Sequence, residues 1–553
     1  MVNRLRLQVL IAAVGFFAIG IALAYFFLLI PRTSEPTAGG TYAEGVVVDN
    51  ATPLTISPIR VSNQLSKDVS ALVFSGLTRS NEKGEIVADL ADDWGPLDDG
   101  KTWEFHIRTN ARWHDGQPVT SRDVLFTIGL IKTDDSPDSG QLKAAWKDIQ
   151  VDRLGDYRVR FRLKELWTPF LNYTTFGLLP EHLLKDKGNA REVSRTDFNT
   201  NPIGSGPYRL APGGFASDGL TVTTNPLYYG QQPYLNKVWF RYFPSSRAAL
   251  TALNSNQIDG ISYVPPTDLK LLDNDKGIQQ YSAPLALNTF LFFNLQRTEF
   301  FGQKEVRQAI AYSLDKKGLI EHNFVGQATV SESPIPSYLW AYKPDLKKFD
   351  FQPALARKTL EDAGWKVNAD GVRQKDGRPF VVSILTANTP DQQAVALETA
   401  EYLKGVGIAA SVRIAPSPRD LLEDIRARRF DILLLGAQGA INDPDAYTYW
   451  HSAEIGPEGF NYSSWRNDQA DGLLEKARRN LNQGERQQLY NQWQELWISD
   501  LPAIPLYYRS YTYAISNRVG KLAPGQLKLM NDGSDRLKDI PFRYVLTNTK
   551  FGS

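Results

Sequence analysis

Phe380 to Gly436, FVVSILTANTPDQQAVALETAEYLKGVGIAASVRIAPSPRDLLEDIRARRFDILLLG, decides the fold. Phe380 to Ala387 is a short apolar run that predicts a strand. Asp391 to Lys404 predicts a helix stopped by Gly405 and Gly407, Ile408 to Ile414 a second strand, Arg419 to Arg428 a second helix, and Asp431 to Gly436 a third strand. Strands alternating with helices imply an α/β chain with a parallel, doubly wound sheet. Ligands of open sheets sit outside the carboxyl ends of the strands. The stretch that follows the third strand, AQGAINDPDAYTYWH from Ala437 to His451, stands at such an end. Gly439, Asn442, Asp443 and Pro444 are turn residues that cannot extend a strand, and Pro444 lacks the ladder donor.

Around this segment the composition is that of a large globular chain. At 553 residues, with 42% hydrophobic and 22% charged residues, two or three lobes are expected. Sixty-two basic against 61 acidic residues give a formal charge of +1, so charge selects no nucleic acid or acidic surface as partner. Cysteine is absent, which excludes disulfides, thiolate metal sites and a cysteine nucleophile, and also a cysteine that carries a lipid anchor. Twelve Trp, 24 Tyr and 27 Phe suit a chain with an apolar cleft as well as a core.

Val9 to Ile30 holds 22 residues without a charge, after Arg4 and Arg6 and before Pro31-Arg32. As a helix it spans about 33 Å, enough for a bilayer core. A cleaved signal has an apolar region of only about 7 to 15 residues, and the Ala22-Leu23-Ala24 site lies inside the run. The expectation is therefore an uncleaved anchor over 9–30, a cytoplasmic N-terminus over 1–8, a flexible tether over 31–41 and an extracytoplasmic main body.

Downstream, Ala43 to Asp49 predicts a strand and Lys67 to Leu77 a helix. Trp103, Phe105 and Ile107 alternate with polar residues as in a half-buried strand, and Thr120 or Ser121 caps a helix with Val124, Leu125 and Ile128 on its apolar face. Pro353 and Gly364 frame a helix over 354–363.

Several segments then carry a resemblance. Leu90-Ala-Asp-Asp-Trp94, Asp99 to Arg108 (DGKTWEFHIR), Trp113-His-Asp-Gly116 with Asp123-Val124, and Asn201-Pro-Ile-Gly-Ser-Gly-Pro-Tyr208 are four of them. Val306-Arg-Gln-Ala-Ile310 with Asp315, Asn461 to Leu474, and Leu501-Pro-Ala-Ile-Pro-Leu506 follow in the same order. Together they resemble the family 5 extracellular solute-binding proteins, the oligopeptide and dipeptide type that feed ABC importers, over residues 42 to 550. The resemblance implies a periplasmic-binding-protein-like fold of two lobes and an inserted subdomain. Lobe I takes 42–76, 199–285 and 507–550, the insert 77–198, and lobe II 286–506. It implies hinge closure over a peptide or similar amphiphilic solute, ABC permease subunits as partners, a monomer, no cofactor and no chemistry of its own.

Peptide-binding relatives commonly read Gly-Trp-x-x-Asp after the last strand, the carboxylate holding the α-ammonium group. Aligned on Gly436, Ala437 stands at the Trp position and Ala440 at the Asp position, so Asp443 or Asp445 must substitute or the ligand is not a short free peptide. The residues expected to face the ligand are Asn294, Trp340, Gln438, Asn442, Asp443, Asp445, Tyr447 and Trp450, with Tyr342 and Tyr449 near them.

Other chemistries find less support. Asp443 and Asp445, two apart, suit a metal pair or an acid and base no better than turn hydrogen bonds. His106 falls in a strand and His114 in a turn, a spacing that favours no shared ion. Gly204-Ser205-Gly206 lacks the first glycine of a nucleophile elbow, since Ile203 stands there, and Pro207 blocks the helix that should follow. Arg426, Arg428 and Arg429 suit a helix end, where cations meet the dipole. A surface hydrolase of peptides or glycans, and a sensor or holder that has lost binding, are the alternatives.

Overall fold

The computed structural model describes residues 15, 19–20, 32–33, 39–48, 54–61, 63–81, 84–97, 100–134, 140–272, 277–438, 443–521, 529–545 and 550–551. The anchor expected over 9–30 falls almost wholly outside them. Among the described residues no helix is long and apolar enough to cross a membrane.

Eleven strands form one large sheet. Numbered within it along the chain they are β1 (Thr41–Val47), β2 (Tyr208–Ala216), β3 (Gly219–Thr224), β4 (Lys237–Phe243), β5 (Gly260–Ile261) and β6 (Ile278–Phe293). Then follow β7 (Ala328–Val330), β8 (Val381–Ala387), β9 (Ala409–Ala415), β10 (Ile432–Gln438) and β11 (Ala503–Ser516). The order is β9-β8-β10-β6-β11-β5-β1-β4-β3-β2, with β7 on β11. The β8 to β10 unit, with α1 (Pro390–Gly405) and α2 (Pro418–Arg426) as crossovers, matches the expected strand and helix order, and β8 pairs in parallel with both β9 and β10. The sheet as a whole is mixed, not parallel, because β6 runs antiparallel to β10 and to β11. Since β9 lies to one side of β8 and β10 to the other, chain order reverses at β8, and the crevice at the carboxyl ends there is a ready ligand position.

Two large cores flank the long strands, beside a smaller cluster around Ala249, Leu253 and Ala514. One joins Tyr42, Tyr208, Val222 and Phe240 of the sheet to Trp103, Phe105, Trp146, Phe161 and Phe170 of the 77–198 segment. The other joins Phe290 to Phe293 with Ile384, Leu433, Trp450, Trp493, Trp497 and Tyr507. β6 and β11 pass from one to the other: Ala283 and Tyr511 belong to the first, Phe290 and Tyr507 to the second. Between them the register breaks, from Pro284↔Ser510 to Asn288↔Tyr508, so three residues on β6 face one on β11. Such a bulge bends the strand and raises its twist. The break is held by Met530, whose carbonyl accepts from Ala286 N at 2.7 Å while its own N–H donates to Pro284 O at 3.0 Å.

The motifs near residues 113 and 204 turn out to be two halves of one joint. His114 N donates to Gly204 O at 2.8 Å, Gly204 N donates to His114 Nδ1 at 3.0 Å, and Nε2 faces Gly206 O at 3.4 Å. Glycine is required here: a Cβ on Gly204 would stand 1.9 Å from Val73 O, and one on Gly206 2.5 Å from Leu72 O. The helix that follows, Ser121–Thr133, is capped by Thr120, whose N–H donates to Asp123 Oδ2 at 2.8 Å. Because His114 Nδ1 accepts a backbone N–H, the ring is neutral with its proton on Nε2, and burial pushes its pKa down to about 4.

A histidine held neutral in the fold but free to protonate when unfolded stabilises the protein above pH 6.5. That contribution disappears as pH falls from about 6.5 to about 4, because the unfolded chain then binds the extra proton. Buried Asp89, pushed up to about 6, works in the opposite direction, so the comparison must be with a variant rather than with total stability. In urea unfolding, the stability gap between wild type and His114→Gln should narrow by about 3 kcal/mol between pH 7 and pH 4. A constant gap contradicts the neutral, buried ring.

Candidate functional site

The cavity between β6 and the carboxyl end of β10 is built from three directions. β6 supplies Ala286, Asn288 and Phe290 on one face, two residues apart as the pleat requires. β10 supplies Ala437, which pairs with Asn288 across the ladder. Pro334, Ile335, Pro336 and Leu339 form one wall, and Asp443 to Ala446 with Tyr449 and Trp450 form the other. Bounded by these residues the space is about 40 Å³, room for a water or two.

Both aspartates at its rim are spoken for. Asp443, 8% exposed, accepts from Arg486 Nη2 through both oxygens at 2.8 and 2.9 Å. Asp445 accepts from Arg478 Nε at 2.8 Å and Nη2 at 2.6 Å, a fork that fits a carboxylate with two parallel bonds. Arg478 leads from the end of α3 (Asp468–Arg478), and Arg486 from the first turn of α4 (Gln483–Asp500). Burial pushes the Asp443 carboxyl up while the guanidinium beside it pulls it down; burial pulls both arginines down, but their carboxylate partners leave them raised, so the pairs are ionic. Four charges thus sum to zero at the rim.

Aromatic rings sheathe these pairs. The Arg478 guanidinium lies 3.9 Å from the centre of the Tyr447 ring, which stacks on His451, also at 3.9 Å. Arg486 lies 5.2 Å from the Trp340 ring, so Trp340 reaches the rim through that arginine. Trp450 is buried against Phe290, Phe292 and Trp497 and is core as well as wall. Tyr342 packs against the same core, and Tyr449 lines the cavity.

Asn294 lies elsewhere. It stands beyond the far end of β6, its Nδ2 donating to Phe430 O at 2.8 Å and its N–H to Asp431 O at 2.9 Å, so it anchors the entrance to β10, not its exit. The Gln438 backbone ends β10; its side chain, and Asn442 and Ala440, lie outside what the structure describes.

Several contributors escaped the sequence reading. The arginine partners sit 33 and 43 positions from their aspartates, too far for any local pattern to pair them. Asn288 did leave a trace, as a lone amide in the alternating row Ala286, Asn288, Phe290, Phe292. Trp167 reaches the rim from the other core: its ring lies 5.9 Å from the Arg478 guanidinium, beside Thr168, whose Oγ1 donates to Arg478 O at 2.5 Å, and Glu165, which pairs with Arg479. Near the strand break Arg509 bonds both Tyr263 Oη, at 3.2 Å, and Asp391, at 2.8 Å. The cleft between the cores is therefore bridged at two places.

Residues 85–456 match the model of the bacterial extracellular solute-binding proteins, family 5. The chain belongs to that family. It is 28% identical over 484 residues to the oligopeptide-binding protein AppA of Bacillus subtilis (strain 168), covering 86% of this chain and 87% of AppA. To the probable D,D-dipeptide-binding periplasmic protein DdpA of Escherichia coli (strain K12) it is 25% identical over 506 residues, 89% of this chain and 94% of that one. Among solved structures, AppA from Bacillus subtilis in complex with a nonapeptide superimposes with a TM-score of 0.75 at 26% identity, covering 92% of this chain and all (100%) of that one. NikZ from Campylobacter jejuni in complex with Ni(L-His) gives 0.72 at 25%, covering 91% and 99%. The fold of this family member is thus the two-lobed α/β fold of periplasmic binding proteins, and the family and these relatives are binding proteins.

Removing Arg478 should leave a buried carboxylate without its counter-charge, at a cost of about 3 to 5 kcal/mol. Arg478→Ala is expected to show that loss in chemical denaturation. The double variant Asp445→Asn/Arg478→Met should recover much of it; equal losses in both would mean the pair does not act as a unit.

Proposed function

We propose that the protein is an extracytoplasmic solute receptor that delivers peptides, or a similarly amphiphilic small solute, to an ABC importer by hinge closure, with no chemistry of its own. The observation that carries this is likeness to the oligopeptide-binding AppA over most of both chains, together with a largely apolar cavity at the carboxyl end of β10. The division into lobe I, insert and lobe II at 42–76, 77–198, 199–285, 286–506 and 507–550 is part of the proposal. It is supported by the change of core between Ala283 and Phe290. Bending at the bulged strands would part the lobes, and Trp167, Thr168 and Glu165 meet α3 only when they are shut. The uncharged run over 9–30 is proposed to hold the receptor at the membrane as a single span, with the receptor acting as a monomer.

A second reading rests on the cavity itself. Sites for small ligands usually enclose about 300 to 1,000 Å³, against about 40 Å³ here. A holder or sensor whose cleft is filled by its own side chains would look like this; a receptor must open to load.

Native mass spectrometry of the protein purified from its host separates the two. Co-purifying peptides support the receptor, whereas a ligand-free protein that no peptide pool stabilises supports the holder. If closure contributes to affinity, Trp167→Ala should weaken a bound peptide by about tenfold, roughly 1.4 kcal/mol, with the fold intact by circular dichroism. An intact Met1 segment in the membrane fraction is the result the anchor requires.

A further inference from the structure

Asn288 is 4% exposed and lines the cavity just past the strand break. Its Nδ2 donates to Ser333 O at 3.2 Å and to Tyr508 Oη at 3.1 Å. A backbone carbonyl can only accept, so the amide cannot be turned round. The other end, Oδ1, is buried and has no hydrogen-bond partner among the described residues. A buried carbonyl oxygen left unpaired is unfavourable and invites a donor. Phe290, Ile335 and Leu339, which line the same cavity, carry no donor, and the carboxylates at the rim are already matched by Arg478 and Arg486.

We infer that Asn288 Oδ1 is the polar anchor of the site, accepting a hydrogen bond from a backbone amide N–H of the ligand, and that the site takes peptides without needing a free α-ammonium group. This rests on the peptide-receptor reading. A terminal ammonium brought to this pocket would give up its hydration for one neutral acceptor, with no unmatched carboxylate at the rim to balance its charge. An amide N–H gives up far less and is satisfied by that single oxygen. N-blocked peptides, and internal stretches of longer ones, are therefore ligands on equal terms with free-amine peptides.

The test uses the full chain and a pool of lysine-free random tetrapeptides, free or quantitatively N-acetylated, with retained members read by native mass spectrometry and titrated singly. The expected result is affinities of the two forms within about threefold, and a loss of at least about tenfold for both in Asn288→Leu, an apolar variant of similar volume. A drop of more than about tenfold on acetylation overturns the inference while leaving the peptide receptor standing. So does a folded Asn288→Leu that binds as wild type. Retention from neither pool overturns the receptor reading and this inference with it. The acetylation comparison uses wild type alone, so it decides the matter even if the variant fails to fold.

Discussion

Two antiparallel strands, β6 and β11, run unbroken through both cores, and every relative movement of the two halves has to pass along them. Their register break is where they can yield. Pro284 has no N–H to give to the ladder, and Leu285 to Leu287 stand opposite one residue of the partner strand. Met530 takes up the Pro284 carbonyl and the Ala286 N–H there, satisfying two of the backbone groups that the break removes from the ladder. Ala286 and Asn288, on either side of the end of the bulge, also form the floor of the cavity. Bend and cavity thus share residues, and whatever occupies the cavity bears directly on the angle between the halves.

The second constraint is electrical. Burying Asp443 and Asp445 at the rim would be prohibitive without counter-charge, and α3 and α4 supply it. Arg478 does more than neutralise, because its own carbonyl and guanidinium are what Thr168 and Trp167 of the opposite half touch. A change at Asp445 is transmitted to the interface between the halves through one guanidinium. The same use of a buried arginine appears in the first core, where Arg536 joins Glu44 at 2.6 Å and Asp68 at 2.6 Å and so ties the late chain segment to β1. Neither arrangement is an efficient source of stability; both fix one geometry.

How much of this the sequence disclosed follows from the range of each interaction. The strands and helices between Phe380 and Gly436 were legible because periodicity and glycine stops are local, as was the cap at Thr120. The mixed character of the sheet was not, because β6 meets β10 and β11 across more than a hundred residues. The glycines at 204 and 206 could be read in sequence as unfit for a nucleophile elbow, but the reason they are glycines lies in Val73 and Leu72. At the site, the carboxylates of Asp443 and Asp445 were visible and their arginines were not, which reverses their meaning: bare acids in a cleft suggest a cation, paired ones do not. Asn294 misled for a related reason, since an amide closing a strand-end turn looks the same in sequence as an amide facing a ligand.

The bridges across the cleft join side chains and backbone of this chain alone. Contacts at Trp167, Thr168, Glu165 and Arg509 stabilise the shut arrangement alongside whatever a bound solute adds. In the proposed receptor, binding starts from the fraction of molecules that are open, and the apparent affinity is the intrinsic one reduced by that fraction. Closure stays responsive to the solute only if these bridges are weak enough for the open form to be populated. The exposed Glu165 to Arg479 pair is of the weak kind, screened by water and salt. The buried pairs of Arg478 and Arg486 lie within one half and are untouched by opening. The stronger electrostatics therefore hold the shape of the binding wall, and the weaker set the balance between open and shut.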